Sequence, residues 1–401
     1  MFRPASAMKM KMLLCRRDLA RSTVLVCSLL LSIANGSLPA ATDSRAAERK
    51  LLYVAEPGIR DYLEYGGHGV LVFDIDQGHR FVKRIPAAGL DEKGRPLNVK
   101  GICANAATKR LYVSTTKTVT CFDIATEKIL WEKAYEGGCD RLAISPDGNV
   151  IYLPSLEKAH WHVLDALSGE VIKKIVTNSG AHNTILGLDG RHAYLAGLAS
   201  PILRVTDTTT HQVTREVGPF GNFIRPFTVN GRGTLCFVNV NELLGFEVGD
   251  LTTGRMLHRV EVRGYEKGPT KRHGCPSHGV GLTPDEKELW LTDAHNSRLH
   301  IFDVGLLNFG TNATATPPLQ VASITLRDQP GWVTFSLDGR YGYPSTGDVI
   351  EVATRKIVAG LKDETGTDVQ SEKMLEIDFK DGQPVATGDQ FGLGRARATG
   401  Q

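Results

Sequence analysis

Residues 143–170 read AISPDGNVIYLPSLEKAHWHVLDALSGE. Three pieces follow one another here: a strand running into Asp147-Gly148, a short apolar strand IYLPSL (151–156), and a second strand with a polar end, WHVLDALSGE (161–170). Asp-Gly tolerates the positive φ of a tight hairpin turn, so the first two pieces read as an antiparallel pair.

The same pieces recur along the chain. The apolar strand returns as LYVAEP (52–57), LYVSTT (111–116), AYLAGL (193–198), LCFVNV (235–240), LWLTDA (289–294) and YGYPST (341–346). The strand after it returns as VLVFDID (70–76), VTCFDIATEK (119–128), ILRVTDTTTHQ (202–212), LGFEVGDLTTGR (244–255), LHIFDVG (299–305) and VIEVATRKI (349–357). The turn before it returns as ILGLDGR (185–191), FTVNGRG (227–233), GLTPDEK (281–287) and TFSLDGR (334–340). The period is near 40 residues and rises to about 55 where loops are inserted. Four short strands at this WD40-like period are expected to form propeller blades. A single blade cannot bury its two apolar faces, so the units must stack into a ring. The expected fold is all-β, a seven-bladed β-propeller over 51–394. MLEIDFKDGQPV (374–385) should supply the inner strand that the first repeat lacks, so that the C-terminal strand joins the first blade and closes the ring.

The "LYV" strand, the "SPDG" turn and the "V.D..TG" segment resemble the YVTN-repeat family of seven-bladed propellers over roughly 50–394. The resemblance implies the fold and leaves function open. Members and structural relatives span surface proteins, haem and copper enzyme domains, lactonases and lyases.

The N-terminus reads as an export signal, 1–41, with 42–50 as linker and 395–401 as tail. Basic residues precede the apolar run TVLVCSLLLSIA (23–34), and small residues follow around Ala40 and Ala41. Arg16-Arg17 resembles a twin-arginine signal and leaves that route open beside general secretion. The run is shorter than the ~20 residues that span a bilayer, so no transmembrane span is expected after signal removal. A periplasmic or secreted location follows. Of 47 Lys/Arg and 44 Asp/Glu, the first 41 residues hold six and one, which leaves 41 against 43. A mature charge of −2 argues against nucleic acid as a general partner. The five remaining cysteines give no disulfide framework, and no Cys-x-x-Cys-His is present for covalent c-type haem.

In a propeller the starts of the innermost strands gather at one mouth of the central channel. Counting back seven residues from the turn acids Asp147, Asp189 and Asp285 gives Asp140, His182 and His278. Neighbouring positions add Cys139, Arg141, Asn183, Arg225, Cys275 and Trp332, with Lys100 and Lys373 at equivalent points. The loop after each apolar strand adds Glu56, Glu157, His160, Asp293, His295 and Asn296. So many ionisable groups aimed at one axis point to a wet, used channel. The insertion at 56–69 is placed to lid it.

Cys275, His278, Asp293 and His295 are suitable ligand types for a divalent or transition metal if they meet in one blade. His182 and His278 are of the type that serves as general acid or base. Two functions stay open: a monomeric binding or scaffold propeller with a small-molecule or protein partner, and a small-molecule enzyme of lactonase, hydrolase or lyase type, with or without a metal, using His278, His182 and Asp140.

Overall fold

The computed structural model describes residues 48–86, 89–270, 272–309 and 316–396. The expected export signal 1–41, most of the expected linker, 42–47, and the end of the expected tail, 397–401, lie outside them.

The described residues form seven antiparallel sheets, the blades of a β-propeller, with almost no helix. Blades 2 to 7 each use four consecutive strands. Their innermost strands are Val99–Asn105, Ala143–Ile144, Ala181–Leu186, Ile224–Val229, Val280–Leu282 and Val333–Phe335. Each apolar "LYV" strand lies second, almost wholly buried, because it is covered on both faces by neighbouring blades. The outermost strands, such as Ile129–Ala134 and Gln212–Val217, are mostly exposed.

Blade 1 closes the ring. Met374–Lys380 pairs antiparallel with Glu48–Glu56, with Leu52 opposite Glu376 and Tyr53 opposite Leu375. The C-terminal segment contributes more than the single strand expected: Gln383–Thr387 adds on the far side of Met374–Lys380, so this blade has five strands. Packing closes the ring too. One apolar cluster joins Tyr343, Val349 and Leu361 of blade 7 to Leu52, Val54 and Met374 of blade 1.

The tyrosine of the repeated strand has a specific task. Each such ring is buried, and its hydroxyl must find a partner there. Tyr112 donates to the carbonyl of Ala166 in the next blade (3.0 Å), Tyr152 bonds His211 Nδ1 (2.6 Å), and Tyr343 bonds His79 Nε2 (3.0 Å). His79 and His211, outer-turn residues by position, therefore act as staples between blades. His79 is buried, and that burial lowers its pKa to about 4.

Beyond Thr387 the chain runs across one end of the hub. Gln390 is buried there; its side chain accepts from the Ile102 amide (3.2 Å) and donates to the Leu142 carbonyl (3.3 Å). Its own carbonyl takes the Trp332 indole N–H. The Gly392 carbonyl takes Thr228 Oγ1 (2.8 Å) and the Leu282 amide (2.8 Å). Residues 388–394 thus tie blades 2, 3, 5, 6 and 7 together and plug the channel from below.

Candidate functional site

The opposite end of the hub is open. A cavity of about 180 Å³ is lined there by Arg60, Lys100, Arg141, His182, Arg225, Arg272, His273, His278, Glu372 and Lys373, among others. Its side chains come from the starts of inner strands and from two loops, the insertion after the first repeated strand and the segment before blade 6.

Arg141 is the centre of the arrangement and is buried. Its Nη2 donates to Glu372 Oε2 (2.6 Å), its Nη1 donates to His182 Nε2 (2.9 Å), and its guanidinium lies 4.6 Å from the Trp332 ring centroid. Because Arg141 can only donate, His182 Nε2 accepts, and the proton of His182 sits on Nδ1. That N–H donates to Asp140 Oδ2 (2.7 Å), and Lys100 Nζ stands 3.4 Å from Asp140 Oδ1. Glu372 Oε2 also accepts from Lys373 Nζ (2.7 Å). His278 Nδ1–H donates to the Gly331 carbonyl (2.9 Å), and its ring stacks on His273 at 4.2 Å. His273 Nε2 lies 3.2 Å from Glu372 Oε1. This crowding needs a glycine: a Cβ on Gly331 would fall 2.6 Å from Glu372 Oε1 and closer still to the His273 ring.

Burial and these neighbours set the charges. Burial lowers His182 to about 4, with Asp140 opposing and Arg141 adding to the effect. Burial also lowers His273 to about 4 and takes His278 well below the usual range. All three imidazoles are therefore neutral near pH 7. Burial alone would raise Asp140, yet His182, Lys100 and Arg141 outweigh it and hold the carboxyl at about 2. Glu372 behaves likewise: Lys373, His273 and Arg141 overcome its burial and keep it well below the usual carboxylate range. Burial brings Lys373 down to about 7 against the pull of Glu372.

Of the residues picked from the sequence, Lys100, Arg141, Glu157, His182, Arg225, His278 and Lys373 line this cavity, and Asp140 lies beneath His182. Trp332 forms the floor under Arg141. Asn183 is buried beside Arg141, through a backbone bridge, and does not line the cavity. The proposed quartet Cys275, His278, Asp293 and His295 is not brought together. The Asp293 carboxylate turns into its own blade, where it accepts from His300 Nε2 (3.0 Å) and Asn296 Nδ2 (2.7 Å). The Cys275 thiol is buried and donates to the Ser277 carbonyl (3.2 Å), and burial pushes it up to about 12. His295 is exposed beside Pro269.

Two other sets of ligand atoms do converge, His273/His278/Glu372 and Asp140/Glu157/His182. Arg141 bridges them, with one guanidinium nitrogen on Glu372 and another on His182. A dication in either set would sit against that fixed positive charge, which opposes it.

Arg60, Arg272, His273 and Glu372 were not singled out in the sequence. Arg60 lies in the insertion flagged as a lid. Arg272 and His273 stand in the basic run KRHG just before Cys275, and Glu372 adjoins Lys373.

No family model matches the chain, and no curated protein matches it in sequence. Its structure is similar to the β-propeller domain of Myceliophteria thermophila Cps50 (Swd1), with a TM-score of 0.54, 13% identity, and coverage of 67% of this chain and 86% of that one. It is similar also to a chain of the Mitotic Checkpoint Complex, with a TM-score of 0.57, 13% identity, and coverage of 80% and 95%. At such identity the likeness shows the fold. No described helix is long and apolar enough to cross a membrane.

Proposed function

We propose that this propeller is a monomeric binding protein that seats a small polar ligand in the open end of its hub. One observation carries the reading: buried charged and imidazole side chains from separate blades converge on one cavity whose far end is plugged by the chain's own C-terminal segment. A hub used only to hold blades together needs no such arrangement, since burying paired charges seldom stabilises more than an apolar core does. A closed floor makes the cavity a receptacle rather than a passage. The leader pattern at 1–41 supports export to the periplasm or beyond, and the repeated strands support kinship with YVTN-repeat propellers.

Hydrolase or lyase chemistry with His182 as the base is disfavoured by the state of that ring. Both its nitrogens are engaged, Nδ1 with Asp140 and Nε2 with Arg141, so no lone pair is free to take a proton from substrate. The test is a thermal-melt screen of purified protein against small molecules of varied charge, since a ligand that binds only the folded state raises the melting temperature. At least one compound should stabilise the wild type and lose its effect in His278→Ala. A screen with no hub-dependent ligand rejects the proposal.

A further inference from the structure

We infer that the hub ligand is a compact oxyanion carrying at least two negative charges on carboxylate or phosphate groups. The inference rests on the binding reading and names its ligand class.

Six cations line the cavity: Arg60, Lys100, Arg141, Arg225, Arg272 and Lys373. Four carboxylates stand against them. Asp140 meets Lys100 and Arg141, and Glu372 meets Arg141 and Lys373. Asp328 meets Arg272 Nη2 (2.5 Å), and Glu157 stands at the rim near His182 and Asp140. The three histidines are neutral. With Lys373 held near 7 by burial, one positive charge is in excess when it is neutral and two when it is charged, and the surplus can be located. Arg60 and Arg225 make no ion pair among the described residues. Arg60 Nη2 donates to the Arg272 carbonyl (2.6 Å), and Arg225 Nε donates to Asn241 Oδ1 (2.5 Å), both uncharged acceptors.

Deeper in, Arg141 is held rigidly on two sides, yet its Nε is buried with no acceptor. A buried guanidinium N–H left unpaired is costly unless a ligand atom completes it. Arginine forks suit carboxylate and phosphate oxygens, which accept two parallel N–H bonds. The cations enter from blades 1, 2, 3, 5 and the segment before blade 6, so they surround a ligand rather than flank it. A cavity of about 180 Å³ admits a small molecule and excludes a polymer. A metal is disfavoured by the same surplus of positive charge.

The experiment is isothermal titration of the wild-type chain with four probes at fixed ionic strength: inorganic phosphate, succinate, the neutral analogue succinamide, and the cation putrescine. Arg60→Ala and Arg225→Ala serve as variants, because neither residue holds a buried carboxylate and both proteins should fold. Phosphate or succinate should bind 1:1 to the wild type, at least tenfold more weakly to each variant, and far more tightly than succinamide. Preference for phosphate over succinate assigns the phosphate class, and the reverse assigns the carboxylate class. If succinamide or putrescine binds in the hub and the anions do not, the inference is wrong and the binding reading stands. If no probe of any charge binds and the melt screen is also silent, both are wrong. Anion binding that is unchanged in both variants also overturns the inference, since it then occurs elsewhere.

Discussion

Replacing Glu376 by glutamine should flatten the pH dependence of stability of the ring-closing strand. Glu376 lies on Met374–Lys380, opposite Leu52, and is 1% exposed. Its Oε2 accepts the Leu337 amide of blade 7 (2.7 Å), so the side chain spans the closure between the last blade and the first. Asp378, two residues on, shares its face of the strand. Burial raises Glu376 from 4.5 to about 8, with the bond to Asp378 and the charges of Asp378 and Asp338 adding to the effect. The folded protein therefore binds a proton between these values that the unfolded chain releases. That stability is fully present below about pH 4.5 and is lost as pH rises through about 8. At about 1.4 kcal/mol per pKa unit the whole gap corresponds to at most about 5 kcal/mol, and to about half of that where Asp378 shares the proton. The substituted amide is neutral throughout. Urea unfolding at pH 5.5, 7 and 9 should show the wild type losing about 2–4 kcal/mol across the range and Glu376→Gln losing much less. Glu56, also held well above its usual range by burial, contributes equally to both proteins, so the difference between them isolates residue 376. Parallel curves for the two proteins would refute the assignment.

Three further outcomes follow from the geometry. Arg141→Met removes one of the two cations that contact buried Glu372 and, with Lys373 still in place, should cost about 1.5–3 kcal/mol; it should also raise the His182 pKa, readable by NMR titration, because Arg141 is one of the groups that lower it. Gly331→Ala should force His273 and Glu372 apart, destabilise by about 1–3 kcal/mol in thermal unfolding, and abolish ligand binding at a temperature where the variant is still folded. Tyr112→Phe should cost about 1 kcal/mol in urea unfolding through the lost bond to Ala166, and leave hub binding unchanged.

The fold was legible because a propeller repeats its own constraints. Each unit needs a buried strand, a tight turn and a second strand, and sequences such as AISPDGNVIYLP and FSLDGRYGYP satisfy them alike. Counting back from the turn acid works for the same reason: turn and inner strand are one continuous hairpin arm, so Asp140, His182 and His278 arrive at one end of the hub. The method fails where the repeat ends. Arg60, Arg272 and His273 are carried by insertions with no counterpart in other units, so no register predicts where they point. Residues 388–396 have no repeat partner, and nothing in their sequence announces a plug. The quartet around Cys275 failed for a different reason. Asp293 ends the second strand of blade 6, and Arg298–Asp303 beside it carries His300, an imidazole within reach inside the blade. A local partner took the carboxylate before the hub could.

The distribution of charge over depth bears on what the hub can hold. Asp140, Arg141, Glu372 and Lys373 are all nearly inaccessible, and there each charge has a partner of opposite sign. The unpaired cations sit higher: Arg60 is exposed and Arg225 only half-buried. This order is the one that desolvation permits, since an unpaired charge at the bottom would cost several kcal/mol while one at the rim keeps its water. It is also the order that suits capture of an anion. Rim cations attract it through solvent and raise its local concentration. The bottom then offers the neutral His278 imidazole, whose Nε2 is left over once Nδ1 is bonded to Gly331, and it can hydrogen-bond a ligand without first giving up strong hydration. A cation arriving by the same route would meet repulsion at the rim and again at Arg141. A neutral solute would gain the hydrogen bonds and none of the attraction. The two unpaired arginines therefore decide the sign of the ligand, and the buried network decides how firmly it is held.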